Sequence, residues 1–380
     1  MLQWAVERAG VTPGDVRGRF ARYDDWLAGT VQPTLKQLQD FARYTYAAVG
    51  YFFQSQPPDL GLPIPDFRTA DGTRPGDPSP DLLDTVYVCQ QRQEWYASYA
   101  RSVGAEPLPF VGRLSVRDDV AEAAEAIRRA IGLDLSVRRR LSTWEDALRQ
   151  LIHLADDSGV LVMVSGVVGS NNTRKLDAEE FRGFALSDRL APLVFVNGAD
   201  TKSAQMFTLA HELAHLWLGQ SALSDSTAAK VADGDVEGWC NRVAAETLVP
   251  LEGFRQEYRP GEPVGREMQR LAHVFKVSTL VVLRRMFDAG GLAREEFWRL
   301  YREEVGRLVA IMRAKDPGGG DYYRTTTGRV SHRFTRAIVT SAVEGRSSFT
   351  EAFGLLGCKK MSTFAELGQH VGVDVGGGSG

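Results

Sequence analysis

The chain has 380 residues, too many for one ordinary core, so two or three domains are expected. Its 43% hydrophobic and 24% charged residues are ordinary for a soluble globular protein. A net charge of −3 gives no overall basic field for nucleic acid, although a local basic face stays open, and no apolar run approaches the length that crosses a bilayer. The three cysteines, Cys89, Cys240 and Cys358, are odd in number, widely spaced and without a CxxC. They fit a reduced cytoplasm and argue against a disulfide scaffold.

Residues 1–55 read as four or five short helices, a helix-turn-helix-like unit. Leu2, Ala5 and Val6 give the first apolar face, and Gly10 ends it. A second helix runs from about Thr12 to Phe20, and a third is built around Trp26 and stops at Gly29. Pro33 and Thr34 open a longer one, Leu35 to about Val49. Proline-rich stretches, Ser55–Arg68 and Gly72–Pro80, mark a connector, and 56–140 is read as linker and helical region, with helices over Asp81–Ser102 and Asp118–Ile131. Trp95, Tyr96 and Tyr99 form an aromatic stripe at helical spacing, read as a packing face.

Residues 141–315 carry the chemistry. An amphipathic helix, Thr143–Asp157, precedes β-rich runs at Val160–Ser165, Gly183–Leu186 and Leu193–Val196, which suggest a small sheet. Ser203–Leu218 is a long helix, followed by helices at Gly234–Leu248, Glu267–Phe287 and Arg294–Arg313. The fold class expected is therefore α+β and mostly helical. Residues 316–375 form a mixed, polar C-terminal segment after the DPGGGD break, in which Tyr322, Tyr323, Arg324, Arg329, His332 and Arg333 make a basic, aromatic stretch. His153, His273, His332 and His370 have no ligand-spaced partner and read as structural or exposed.

The decisive motif lies in FTLAHELAHLWLG at 207–219, which contains His211-Glu212-x-x-His215. Residues four apart share a helix face, so both imidazoles can reach one metal ion, and Glu212 can serve as general base toward water. Six histidines in 380 residues make this pairing around a Glu a weak product of chance, and unpaired His and Glu in so apolar a helix would be costly. A catalytic zinc usually takes three protein ligands. Gly219–Ala229 offers no third His, so a glutamate from the next helix is the natural substitute. Glu237 is preferred because Asn241, one turn on, can orient a metal-bound histidine; Glu246 is the competitor. Zinc is the expected ion, although manganese or iron would also satisfy a His2Glu set.

These residues resemble the ImmA/IrrE family of metallopeptidases. The resemblance rests on FTLAHELAHL, on E-x-x-C-N-x-x-A-A-E-x-L-V-P at 237–250, on KVSTLVVLRRMFDAG at 276–290 and on GFALSDRLAPLVFVN at 183–197, and covers roughly 140–310. It implies a zincin-like domain with His211, His215 and Glu237 as ligands, Glu212 as base and Asn241 behind them. It also implies a stress-response regulator that cleaves or inactivates a repressor. WLAGTVQPTLKQLQDFA at 26–42 is similar to the end of an Xre-type helix-turn-helix. DNA contacts would then fall to Arg17, Arg19 and Arg22, against the acid of Asp24 and Asp25. A helical protein-interaction module is the alternative. An Xre-like module followed by LPIPDFRT (62–69) and a peptidase domain resembles antitoxin-side proteins, which implies a PIN-like toxin as alternative partner and the zincin domain as scaffold.

Overall fold

The computed structural model describes residues 1–66, 78–224, 236–314 and 329–375. Phe67–Thr69 of the LPIPDFRT stretch, the 72–77 part of the connector, the 316–321 break, Tyr322, Tyr323, Arg324 and the terminal 376–380 lie outside the described residues. The chain divides into two compact units: Met1–Pro63 with the start of the long helix Pro80–Ser102, and a larger unit from Val88 on that also takes in Ile64–Asp66.

The smaller unit holds helices Leu2–Arg8, Pro13–Arg19, Tyr23–Leu27 and Leu35–Tyr44 and a 3-10 turn at Val49–Phe53. Thr12 caps the second helix by accepting the Asp15 N–H, and Thr34 with Gln37 forms a capping box on the fourth. Phe41 is the centre of the core, with Phe20 edge-on at 5.4 Å and Tyr23 stacked at 5.8 Å. The fourth helix stops at Tyr44, five residues short of the expected Val49. There the Thr45 hydroxyl donates to the Phe41 carbonyl at 2.9 Å, and Tyr46 takes a left-handed φ of 50°.

The larger unit is α+β and mostly helical. Its sheet has four strands, β1 (Leu161–Ser165), β2 (Gly183–Leu186), β3 (Leu193–Asn197) and β4 (Ala222–Ser224), in the order β1-β3-β2-β4. β1 runs parallel to β3, whereas β2 is antiparallel to both β3 and β4. The strands are apolar runs buried almost throughout, as expected of a sheet covered on both faces rather than an alternating one. β4 escaped the sequence reading because its three residues are too short for any period to register. At its outer edge the Leu223 N–H donates to the Pro65 carbonyl at 2.9 Å.

The helix Lys202–Leu218 packs on this sheet and is buried on nearly every side, which is why its sequence shows no polar stripe. Helices Val120–Ile131, Trp144–Asp157 and Val236–Leu248 complete the same core, through Ala123, Ala124 and Ile127, through Leu148 and Leu151, and through Val243 and Ala244. The expected single helix over 267–287 is two, Val264–Phe275 and Thr279–Asp288. Lys276 breaks it with a left-handed φ of 53°, and Ser278 caps the second by accepting the Val281 N–H. Over its described residues, 329–375, the C-terminal segment is helical rather than mixed, with helices His332–Val343, Phe349–Leu356 and Met361–His370. The aromatic stripe does pack: Trp95 lies edge-on to Phe334 at 5.6 Å. All three cysteines are buried and none is in a disulfide, and burial pushes the Cys89 thiol up to about 12, leaving it inert.

Candidate metal centre

Local signals fix the position of the Lys202–Leu218 helix. Thr201 caps its start by accepting the Ala204 N–H. Gly219 closes its end in a left-handed conformation, φ 70°, donating back toward His215 and Leu216. A side chain at Gly219 would also meet the Gly112 Cα at 2.9 Å, so this turn is sterically closed. Ala210 and Ala214 on this helix and Ala244 and Ala245 on Val236–Leu248 are buried. Small residues let the two helices approach closely enough for a glutamate to span them.

Three donors converge where the helices meet. The Nε2 atoms of His211 and His215 lie 3.1 Å apart. Glu237 places Oε2 3.2 Å from the first and Oε1 3.0 Å from the second. Among the described residues this is the group of His, Cys, Asp and Glu whose donor atoms all converge. A tetrahedral ion with ligand bonds near 2.0–2.1 Å has donors about 3.3 Å apart, so the spacing fits a zinc-sized cation. The donor chemistry, two imidazoles and a carboxylate, fits as well.

The electrostatics point the same way. Burial alone would raise the Glu237 carboxyl, but the two imidazoles hold it well below the usual carboxylate range. Burial opposes charge on His211, yet Glu237 outweighs it and raises that imidazole; Asn241 lies beside it and adds to the effect. Burial lowers His215, which remains the neutral partner. Glu212 is fully buried, and burial pushes its carboxyl up to about 8, with His211 opposing and Glu237 reinforcing the shift. Neither Glu212 oxygen makes a hydrogen bond of good geometry among the described residues, and Ser224 is the nearby hydroxyl that lowers the carboxyl against its burial.

Glu246 lies apart from the histidines. Its carboxylate meets the Arg285 guanidinium at 2.9 Å and accepts the Leu251 N–H at 3.2 Å, so its place is structural. In the smaller unit Arg17 is bound to Asp24 at 2.9 Å, Arg19 lies 5.0 Å over the Tyr44 ring, and Arg22 is exposed at the start of Tyr23–Leu27. Two neighbours of the metal ligands escaped the sequence reading. Ser224 brings Oγ to 3.4 Å from His215 Nε2. Gly183 lies directly under Glu212, where a Cβ would stand 3.4 Å from Oε1. A lone glycine opening an apolar strand is the signal that could have revealed it.

Residues 155–287 match the family model of the IrrE N-terminal-like domain, Peptidase_M78. The match supports a zincin-like, metallopeptidase-type family for this stretch. Residues 330–370 match the model of a domain of unknown function, DUF8813. No curated protein matches the chain. Among the described residues, no helix is long and apolar enough to cross a membrane.

Proposed function

We propose that the chain is a zinc-dependent metalloendopeptidase-type regulator that cleaves or inactivates a regulatory protein. The observation that carries this reading is the convergence of His211, His215 and Glu237 beside the buried carboxyl of Glu212. The two histidines and Glu237 would hold the ion. When bound, zinc supplies Lewis acidity, which lowers the pKa of water to about 7 and polarises a carbonyl. Glu212 takes the proton from the attacking water and delivers it to the leaving amine. Its buried position keeps competing water from the carboxyl, and a value near neutrality suits a group that must both accept and donate. Asn241 holds His211 in orientation. A general base so placed favours a peptidase over a purely structural metal site.

The test uses the purified full chain, incubated with the proteins encoded beside it. Glu212→Gln should keep the metal that His211→Ala loses, and only the wild type should cut a neighbour. Retained cleavage in Glu212→Gln would sink the assignment.

A second reading puts the chain on the antitoxin side, with the N-terminal unit gripping a PIN-like toxin or operator DNA and the zincin domain serving as scaffold. Exposed Leu27, Leu35 and Phe53 favour a protein partner, and the pairing of Arg17 with Asp24 removes one phosphate contact. A stable complex with an uncut neighbour would support this reading.

A further inference from the structure

Half of the six histidines of the chain, far apart in sequence, meet on the surface of the larger unit. His332 opens the helix His332–Val343, and His370 closes Met361–His370. Their Nε2 atoms stand 3.1 Å apart, the same separation as the His211–His215 pair. His153, on Trp144–Asp157, sets its ring edge-on to His332 with centroids 5.2 Å apart. Asp157 follows His153 by one helical turn and so shares its face.

The frame behind these groups is firm. The Arg333 backbone N–H donates to Asp156 Oδ2 at 2.9 Å, and its guanidinium donates to the Asp156 and Asp157 carbonyls, each at 3.1 Å. These bonds fix the start of the His332 helix against the end of the His153 helix. Burial first, then the neighbouring imidazoles of His370 and His153, hold His332 below its ordinary value, the neutral form that binds metal.

We propose that His332, His370 and His153, with Asp157 in reach, form a second site for a borderline divalent transition ion such as zinc, separate from the His211–His215–Glu237 centre. Two nitrogens already hold ligand spacing, against the about 3.3 Å expected across a tetrahedral edge. His153 does not bring a nitrogen to ligand distance in this arrangement; its exposed ring, with its centroid 5.2 Å from that of His332, would have to move to supply the third. Imidazole with carboxylate suits zinc, nickel or copper rather than magnesium or calcium. The ion would clasp Trp144–Asp157 to the segment that matches the second family model, residues 330–370. The C-terminal segment would then be held to the metallopeptidase domain partly by metal.

The experiment titrates the full chain with zinc against a chromophoric chelator, using wild type, His211→Ala and His370→Ala. Wild type should bind two ions, and each variant one. His370→Ala should weaken only the second site, by at least about tenfold. With His211→Ala, added zinc should still raise the melting temperature. His370 is exposed, so its replacement leaves the fold intact. Two ions bound by His370→Ala, or zinc binding by wild type that His370→Ala leaves unchanged, would overturn the proposal; a single wild-type ion lost in His370→Ala but kept in His211→Ala would instead count against the first centre. Should His211→Ala fail to fold, the comparison of wild type with His370→Ala decides alone.

Discussion

Gly183→Ala tests how closely the Lys202–Leu218 helix is seated on the sheet. A Cβ at this position would lie 2.5 Å from Thr208 Cγ2 and 2.7 Å from the Phe195 carbonyl oxygen, with Glu212 Oε1 at 3.4 Å. Thr208 is buried on the Lys202–Leu218 helix. The Phe195 carbonyl belongs to β3, whose Val196 is the register partner of Gly183, so relieving that contact disturbs the β2–β3 ladder. Overpacking typically costs about 1–3 kcal/mol, and two contacts this short belong in the upper half of that range. At about 2–4 °C per kcal/mol for a domain of this class, the melting temperature should fall by roughly 5–10 °C. Thr208→Ser removes the Cγ2 contact but not the backbone one, so the double variant should recover part of the loss. Any cleavage activity should drop further than stability does, because displacement of a catalytic group by about 1 Å costs on the order of 100-fold. A Gly183→Ala protein that melts within about 1 °C of wild type, far below the shift expected here, would refute this account of the helix–sheet contact.

Three further outcomes are expected. With its carboxyl at about 8, Glu212 carries about 0.9 proton at pH 7; zinc loading should expel it, and calorimetry in buffers of different ionisation enthalpy should show Glu212→Gln releasing about one proton fewer than wild type. Arg285→Met leaves the Glu246 carboxylate buried without its guanidinium, and denaturant unfolding should register a loss of about 3–5 kcal/mol. The Arg270 hydrogen bond holds Glu267 below its ordinary 4.5, so its stabilisation is complete above that value and is lost as pH falls through the folded one; Glu267→Gln should flatten the acid limb of a stability–pH curve.

The core of the site was legible because its residues obey helical spacing. His211 and His215 share a face by construction, and Asn241, one turn after Glu237, separated that glutamate from Glu246. What escaped depends on long-range packing. Apolar residues recur on both sides of Lys276, at Leu271, Ala272, Phe275, Val277, Val281 and Val282, which masks the one local signal of the break, Ser278 as a cap for the second helix. The C-terminal helices were read as mixed polar sequence, although Phe334, Ile338 and Ala342 recur every four residues and are buried. The histidine cluster was out of reach altogether, because three separate helices supply its members.

The His211–His215–Glu237 cluster also shows how charged groups can be accommodated beside an apolar helix. Isolated, each of Glu212, Glu237, His211 and His215 would be expensive to bury. Glu237 stays ionised because His211 is raised beside it, so the pair behaves as an internal salt bridge. Glu212 avoids a second negative charge by keeping its proton. The cluster can therefore fold as a neutral unit, with a proton on His211 standing where the cation's charge would be. A bound cation and the His211 proton would compete for the same place, so metal affinity should climb with pH through the neutral range.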